Sequence, residues 1–336
     1  MKKYRVGILG ATGLVGKEIV NTLYQRRFPV SELIPLASAR SAGTIQTFGH
    51  ESLTVRQAEP DAFEGMDIVF ASAGSSVSKV LAHEAIKRGC IVIDNTSVFR
   101  MDDTVPLVVP EVNSHALQKH RGLIANPNCS TAQLVVALKP LHDAFGIRRV
   151  VVSTYQAVSG AGNRAVEELY MQSEQVLAGQ EAAPQVLPQQ IAFNLIPFIG
   201  NFLDNGYTDE EMKMTNEVQK IMEAHIPTVA TCIRVPVANG HSESVNIEFG
   251  RVVSPDAARE VLTKAPGLVV QDDPQHQIFP SPQAISGNDP VYVGRIRQDV
   301  SHPQALNLWV VGDNLRKGAA LNAIQIAESL IAQGLL

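Results

Sequence analysis

Cysteine is scarce in this chain and its spacing excludes much. Cys90, Cys129 and Cys232 are odd in number and far apart, which argues against a disulfide framework and against a zinc site. Such usage suits a reducing cytosol. A basic surplus is also missing. The 28 Lys and Arg face 33 Asp and Glu, for a formal charge of −5, so nothing points to nucleic acid. No apolar run approaches the ~20 residues that a membrane span needs. Met1-Lys2-Lys3-Tyr4 leads straight into a strand, without the apolar stretch and small-residue cleavage site of a secretion signal. Cytoplasm is therefore the expected location. Internal repeats and low-complexity segments are absent too. What remains is the balance of an ordinary enzyme: 336 residues, 45% hydrophobic and 18% charged, enough for two domains and a large core.

The first residues read as a nucleotide-binding unit. Tyr4-Arg5-Val6-Gly7-Ile8-Leu9 is a buried strand, and a helix runs to about Gln25. Between them lies Gly10-Ala11-Thr12-Gly13-Leu14-Val15-Gly16. Glycines there let the backbone turn tightly and approach a pyrophosphate seated on the helix N-terminus. The candidate contacts are Gly10, Thr12, Gly13, Leu14 and Val15. Strict G-x-G-x-x-G spacing is not present, so position after the first strand carries the reading. The second strand, residues 33–37, is followed by Ser38-Ala39-Arg40-Ser41. An NAD site has a carboxylate there for the ribose 2′-OH. Here there is none, and Ser38, Arg40 and Ser41 suit a 2′-phosphate; NADP is the expected cofactor. Further apolar strands at 67–71, 91–94, 107–109 and 123–125, with a helix over 76–88, predict a doubly wound parallel sheet.

Asn126-Pro127-Asn128-Cys129-Ser130-Thr131 follows the last of these strands. After it, Leu134, Val135, Leu138, Leu141 and Phe145 recur at helical spacing. Cys129 thus sits at a helix N-terminus, where open N–H groups and the dipole favour a thiolate. A thiolate is a nucleophile, and acyl-thioester chemistry is the first possibility it raises. By position alone the residue could equally be a small buried hydrophobe. Cys90 and Cys232, both in apolar strands, are expected to be inert.

Beyond residue 148 the texture changes. A strand over 149–156 ends at Ala157-Val158-Ser159-Gly160-Ala161-Gly162, and a helix continues to about Ala178. Residues 181–190, rich in Pro and Gln, predict an exposed loop. A helix over 208–223 opens on the acidic cap Thr208-Asp209-Glu210-Glu211. Long strands follow at 228–237, 243–250, 291–298 and 306–311, then a helix over 314–334. The fold class expected is α/β: a Rossmann-like doubly wound domain, residues 1–128, completed by the C-terminal helix 314–336. Residues 129–313 form an α+β domain with a mixed, largely antiparallel sheet. His241 follows a strand, in a turn able to aim an imidazole that exchanges protons near neutrality. Arg234 lies in an apolar strand, where a charge is costly unless paired. Taken alone, Gln156 is a strand-end glutamine, Lys213 a solvated helix lysine, and Glu210 a cap or an i,i+3 partner of Lys213.

Five blocks, in order, resemble the aspartate-semialdehyde dehydrogenase family over essentially the whole chain. They are Gly10-Ala11-Thr12-Gly13, residues 126–131, Tyr155-Gln156-Ala157-Val158-Ser159-Gly160, Glu210-Glu211-Met212-Lys213, and residues 234–241, Arg-Val-Pro-Val-Ala-Asn-Gly-His. The resemblance implies NADPH-dependent reductive dephosphorylation of L-aspartyl 4-phosphate to L-aspartate 4-semialdehyde. That step lies on the route to lysine through diaminopimelate, and to threonine and methionine. It implies Cys129 as nucleophile and His241 as acid–base residue. Arg234 would anchor the substrate α-carboxylate, Gln156 would orient substrate, and Glu210 would face its ammonium. Arg100, Asn128 and Lys213 match phosphate-binding positions, and Ser159, Gly160 and Asn314 match contacts on the nicotinamide side. It further implies a homodimer through the second domain, sometimes a tetramer, and no metal. Two other readings are a related thiol-dependent reductase such as N-acetyl-glutamyl-phosphate reductase, and a non-catalytic paralogue. Arg234 and the Asn-Pro-Asn-Cys block favour the aspartyl substrate over the former. The presence of both Cys129 and His241 argues against the latter.

Overall fold

A computed structural model describes residues 2–336. The chain forms two compact units. One runs to Asn128 and includes Ala319–Leu336; the other is Cys129–Gly318. The chain thus re-enters the first unit at Ala319, five residues later than the expected helix start at Asn314.

In the first unit the elements are β1 (Tyr4–Leu9), α1 (Leu14–Gln25), β2 (Val30–Ala37), β3 (Ile45–Phe48), β4 (Glu51–Thr54), β5 (Arg56–Gln57), β6 (Ile68–Ala71), α2 (Ser75–Lys87), β7 (Ile91–Asp94), α3 (Pro110–Asn113) and β8 (Leu123–Ala125). Six strands pair in the order β5-β2-β1-β6-β7-β8, every pair parallel. Such sheets are covered on both faces, which is why β6 reads as an unbroken apolar run. The chain goes from β1 to β2 on one side and returns to β6 on the other. That reversal leaves a crevice at the C-terminal end of β1, where ligands of such sheets bind. Ile19, Val20 and Leu23 of α1 share one buried apolar cluster with Val6, Ile8 and Phe70.

The expected strand at 107–109 is reduced to a single bridge between Leu107 and Ala125. Pro106 and Pro110 bracket it, and a proline has no N–H to extend a ladder. The C-terminal helix also differs from the reading. A π-helical turn, Arg316–Ala320, precedes the α-helix Leu321–Ala332. In that helix Leu321, Ile324 and Ala327 are buried, as expected, and Ile331 is half-buried.

The second unit runs α4 (Cys129–Phe145), β9 (Ile147–Gln156), α5 (Asn163–Leu177), α6 (Asp209–Met222), β10 (Thr228–Arg234), β11 (His241–Phe249), α7 (Pro255–Lys264), β12 (Leu268–Val270), α8 (Pro282–Ile285), β13 (Val291–Gln298) and β14 (Ala305–Gly312). Its sheet has the order β10-β9-β11-β14-β13-β12. The outer pairs β10–β9 and β12–β13 are parallel, and the three inner pairs are antiparallel. Alternation decides the faces. Thr228, Ala230, Cys232 and Arg234 of β10 are buried, as are Val150, Val152, Thr154 and Gln156 of β9. α4 and α6 cover this face. The other face presents Ser153, Tyr155, Ser244 and Trp309, all partly exposed.

Two local expectations change. α4 is not amphipathic at its start, because Ser130 through Leu138 are buried without a break. The loop at 181–190 is mostly exposed but pinned. The Glu168 carboxylate on α5 accepts the N–H groups of Val186 (3.1 Å) and Leu187 (2.9 Å), and Gln172 Oε1 accepts that of Ile191 (2.8 Å). These bonds satisfy backbone that would otherwise be stranded.

Candidate active site

Cys129 is the first residue of α4, so the helix's open N–H groups surround its own backbone. Its side chain is half-buried. Gly318 packs behind it: a Cβ on Gly318 would fall 2.7 Å from Cys129 Cβ, so only glycine allows this approach. The other two cysteines differ. Burial pushes the Cys90 thiol up to about 11 and drives that of Cys232 higher still. Both are inert thiols at neutral pH.

Arg234 and Gln156 are register neighbours at the ends of β10 and β9. Both are buried. Arg234 Nη1 donates to the Ala157 carbonyl at 2.7 Å, and no carboxylate forms an ion pair with it among the described residues. Burial lowers its pKa, while Cys129 and then Glu210 act to raise it. The guanidinium is thus electrostatically coupled to Cys129. Gln156 Nε2 lies 3.4 Å from Glu210 Oε1. Lys213 Nζ is 3.3 Å from Glu210 Oε2 and 3.4 Å from Asp209 Oδ2. α6 is well founded at this end. Thr208 caps it, and Glu211 returns the bond to the Thr208 N–H and also accepts the Cys232 N–H.

His241 opens β11 instead of sitting in the turn before it. It is fully buried. The Ala157 N–H donates to its Nδ1 at 3.0 Å, which assigns the ring proton to Nε2. Nε2 meets no hydrogen-bond partner among the described residues. Burial, and secondly the positive charge of Arg234, hold the imidazole pKa well below its ordinary value. The ring is therefore neutral at pH 7. Gly160 marks where these groups converge: a Cβ there would sit 3.0 Å from Arg234 Nη1 and 3.4 Å from His241 Nε2. Asn314 Nδ2 donates to Ser159 Oγ (2.9 Å), and Asn314 Oδ1 accepts the Gly240 N–H (2.8 Å). These two residues fix the turn that delivers His241.

The remaining candidates belong to the first unit. Arg100 is buried and its guanidinium donates to the carbonyls of Asn126 (2.9 Å) and Asn95 (3.0 Å). Asn128, also buried, precedes Cys129 directly. At the nucleotide turn Gly10 has φ +90°, and a Cβ on Gly16 would lie 2.2 Å from the Gly10 carbonyl oxygen. Gly13 caps α1 without any side-chain bond or first-turn acid, so the helix N-terminus is open to an anion. Thr12, Leu14 and Val15 are half-buried along this turn. Ser38 and Arg40 are exposed beyond β2, and the Ser41 N–H closes a turn on the Ser38 carbonyl.

Three residues near the site escaped the sequence reading. Gln133, Glu243 and Asp313 are all buried. Asp313 accepts four bonds, from the N–H groups of Gly287, Leu315 and Arg316 and from the Asn239 amide.

Each unit matches a known domain. Residues 5–120 match the semialdehyde dehydrogenase NAD binding domain, and residues 138–317 match the semialdehyde dehydrogenase dimerisation domain. The two units are thus those of a semialdehyde dehydrogenase, a nucleotide-linked enzyme. The relatives narrow this further. The chain is 54% identical to an aspartate-semialdehyde dehydrogenase of Bacillus subtilis, over 97% of this chain and 96% of the relative. A crystal structure of aspartate semialdehyde dehydrogenase II from Vibrio cholerae, complexed with ASA, superposes with a TM-score of 0.96 at 46% identity, covering 99% of both chains. That of the Candida albicans enzyme with NADP gives 0.77 at 27% identity over 100% of both. The chain belongs to the aspartate-semialdehyde dehydrogenase family.

Proposed function

We propose that the enzyme carries out the reversible, NADPH-dependent reductive dephosphorylation of L-aspartyl 4-phosphate to L-aspartate 4-semialdehyde, on the route to lysine, threonine and methionine. The observation that carries the reading is the electrostatic coupling of the helix-terminal Cys129 to Arg234, which lies against the same glycine as His241 Nε2. Cys129 Sγ attacks the acyl carbon; the C–S bond forms, the C–O bond to phosphate breaks, and phosphate leaves with the electron pair. When bound, NADPH supplies the hydride that reduces the thioester carbon. The resulting oxyanion collapses, expels the Cys129 thiolate and frees the aldehyde. His241 presents an N–H at Nε2, not a lone pair, so it acts as a donor to the oxygen that gathers charge. Arg234, with Nη1 held by Ala157, offers its remaining N–H groups to the α-carboxylate as a planar fork. Gln156 and Glu210 receive the rest of the amino-acid end. Arg100, Asn128 and Lys213 receive the phosphate.

The first unit fits NADP. Gly10, Thr12, Gly13, Leu14 and Val15 would hold the pyrophosphate on the uncapped start of α1. Ser38, Arg40 and Ser41 would take the 2′-phosphate, with no carboxylate to repel it. Ser159, Gly160 and Asn314 would meet the nicotinamide side. A homodimer is also proposed, its second copy seated on the open face of the second sheet. That face carries a hollow of about 350 Å³ lined by Tyr155, Trp309, Arg295 and Arg297, among others.

The test is phosphate-dependent oxidation of the semialdehyde with NADP. Cys129→Ala should lose at least about 10⁴-fold in kcat, the scale seen when a covalent nucleophile is removed, while still binding NADP. Undiminished turnover by that variant would end the thioester reading.

A further inference from the structure

Two buried polar side chains beside the site take no part in the chemistry above. Glu243 lies two residues after His241 on β11, so both side chains leave the same face of the strand. It is fully buried, and neither carboxyl oxygen meets a hydrogen-bond partner among the described residues. Gln133 lies four residues after Cys129, one turn along α4. It is buried as well. Its Nε2 donates to the main-chain carbonyl of His241 at 3.4 Å, and its Oε1 has no donor. Gly312, the register partner of His241 on β14, makes room for this amide; a Cβ there would be 2.8 Å from Gln133 Oε1.

The two unsatisfied groups complement each other. An ionised carboxylate buried without a partner is strongly disfavoured, whereas the neutral acid has one O–H to give. Gln133 Oε1 is an acceptor in need of one. We infer that Glu243 is a neutral carboxylic acid that donates to Gln133 Oε1, and that the pair positions the Cys129 helix against the His241 strand.

The charged surroundings agree. Burial raises the Glu243 pKa well above the usual carboxylate range, opposed by the Gln133 amide close to it. Across the sheet, Glu210 and Glu211 of α6 act with Glu243 on Cys232, each raising its pKa. Arg234 of β10 acts on His241, which is itself neutral. Cys129 of α4 acts electrostatically on Arg234. The bond would run from Glu243 through the Gln133 amide to the His241 carbonyl, and so join the two elements that carry the nucleophile and the imidazole. Both are positioning residues, since neither reaches the reacting atoms. The inference rests on the roles given above to Cys129 and His241.

Its test compares Glu243→Gln with Glu243→Met in the full-length enzyme. Gln keeps a neutral donor and should retain the wild-type kcat and pH profile. Met keeps the volume and removes the donor; kcat should fall about 100-fold, the cost of a misplacement near 1 Å, with the KM for semialdehyde and NADP unchanged. Infrared difference spectra at pH 7 should show a protonated-carboxyl band in the wild type that Glu243→Gln removes. Equal losses in both variants would overturn the positioning role, and absence of that band would overturn the neutral acid. The band reports on Glu243 even if the Glu243→Met protein fails to fold. It is also independent of Cys129, so a failed thioester reading would show in the Cys129→Ala assay alone.

Discussion

The two units build their binding surfaces from different material. In the first, the nucleotide turn is made of backbone. Gly10 adopts a left-handed φ, Gly13 leaves α1 uncapped, and Gly16 lets α1 close on the β1 turn. In the second, the proposed thiol site is made of buried side chains. Arg234, Gln156, Glu210 and His241 are each less than a tenth exposed. Backbone recognition needs space and correct dihedrals, and it is indifferent to protonation. Side-chain recognition under burial depends on charge, tautomer and hydrogen-bond count, because each unpaired group carries a desolvation cost. The first kind of site should fail when a single carbon is added. The second should fail when a functional group is exchanged.

Gly16→Ala is the sharpest test of the first half, and the largest effect expected. The new Cβ would fall 2.2 Å from the Gly10 oxygen and 2.8 Å from Ala11 Cα. Both are backbone atoms, so neither can swing aside. The turn must open, at a cost of about 1–3 kcal/mol in stability. NADP binding, followed by titration, should become undetectable, and the melting temperature should drop. An alanine variant that binds NADP like the wild type would show that the turn is looser than its geometry implies.

Arg234→Lys tests the second half at constant charge. Lysine has no fork and cannot hold the Ala157 carbonyl and a carboxylate together. The expected loss in kcat/KM is roughly 10²–10³-fold, about 3–4 kcal/mol, carried mainly by KM, with little change in melting temperature. Retention of activity within a few-fold would mean that the charge alone suffices and the bidentate role fails.

These two surfaces were not equally legible in the sequence. A backbone-built site announces itself locally: the glycines of residues 10–16 sit between a strand and a helix that are both contiguous with them. Asn126 to Thr131 was legible for the same reason, since strand, break and helix follow one another. The buried partnerships were not. Gln133 and Glu243 are brought together by the packing of α4 on the sheet, which no local pattern encodes. His241 and Ser242 looked too polar to extend a strand, yet both are buried, and β11 starts two residues earlier than the hydrophobic alternation suggests. The bonds from Glu168 and Gln172 that hold the 181–190 region span up to twenty residues, and the composition of the loop gave no hint of them.

Gly160→Ala should give the smallest effect, and it sets the two kinds of site against each other with one substitution. Gly160, like Gly16, has no positive φ that would forbid alanine. The difference lies in what the new carbon meets. At 160 it approaches Arg234 Nη1 at 3.0 Å and His241 Cε1 and Nε2 at 3.4 Å, which are ends of side chains, and Gly160 itself is exposed. Those ends can yield by a few tenths of an ångström, so the melting temperature should stay that of the wild type. The displaced groups are the proposed carboxylate anchor and the proposed donor, however, and a shift of that size should lower kcat/KM about 10-fold. Calorimetry beside steady-state kinetics separates the outcomes. A fall in stability with full activity would place the strain in the backbone, and the contrast between a backbone-built turn and a side-chain-built site would no longer hold.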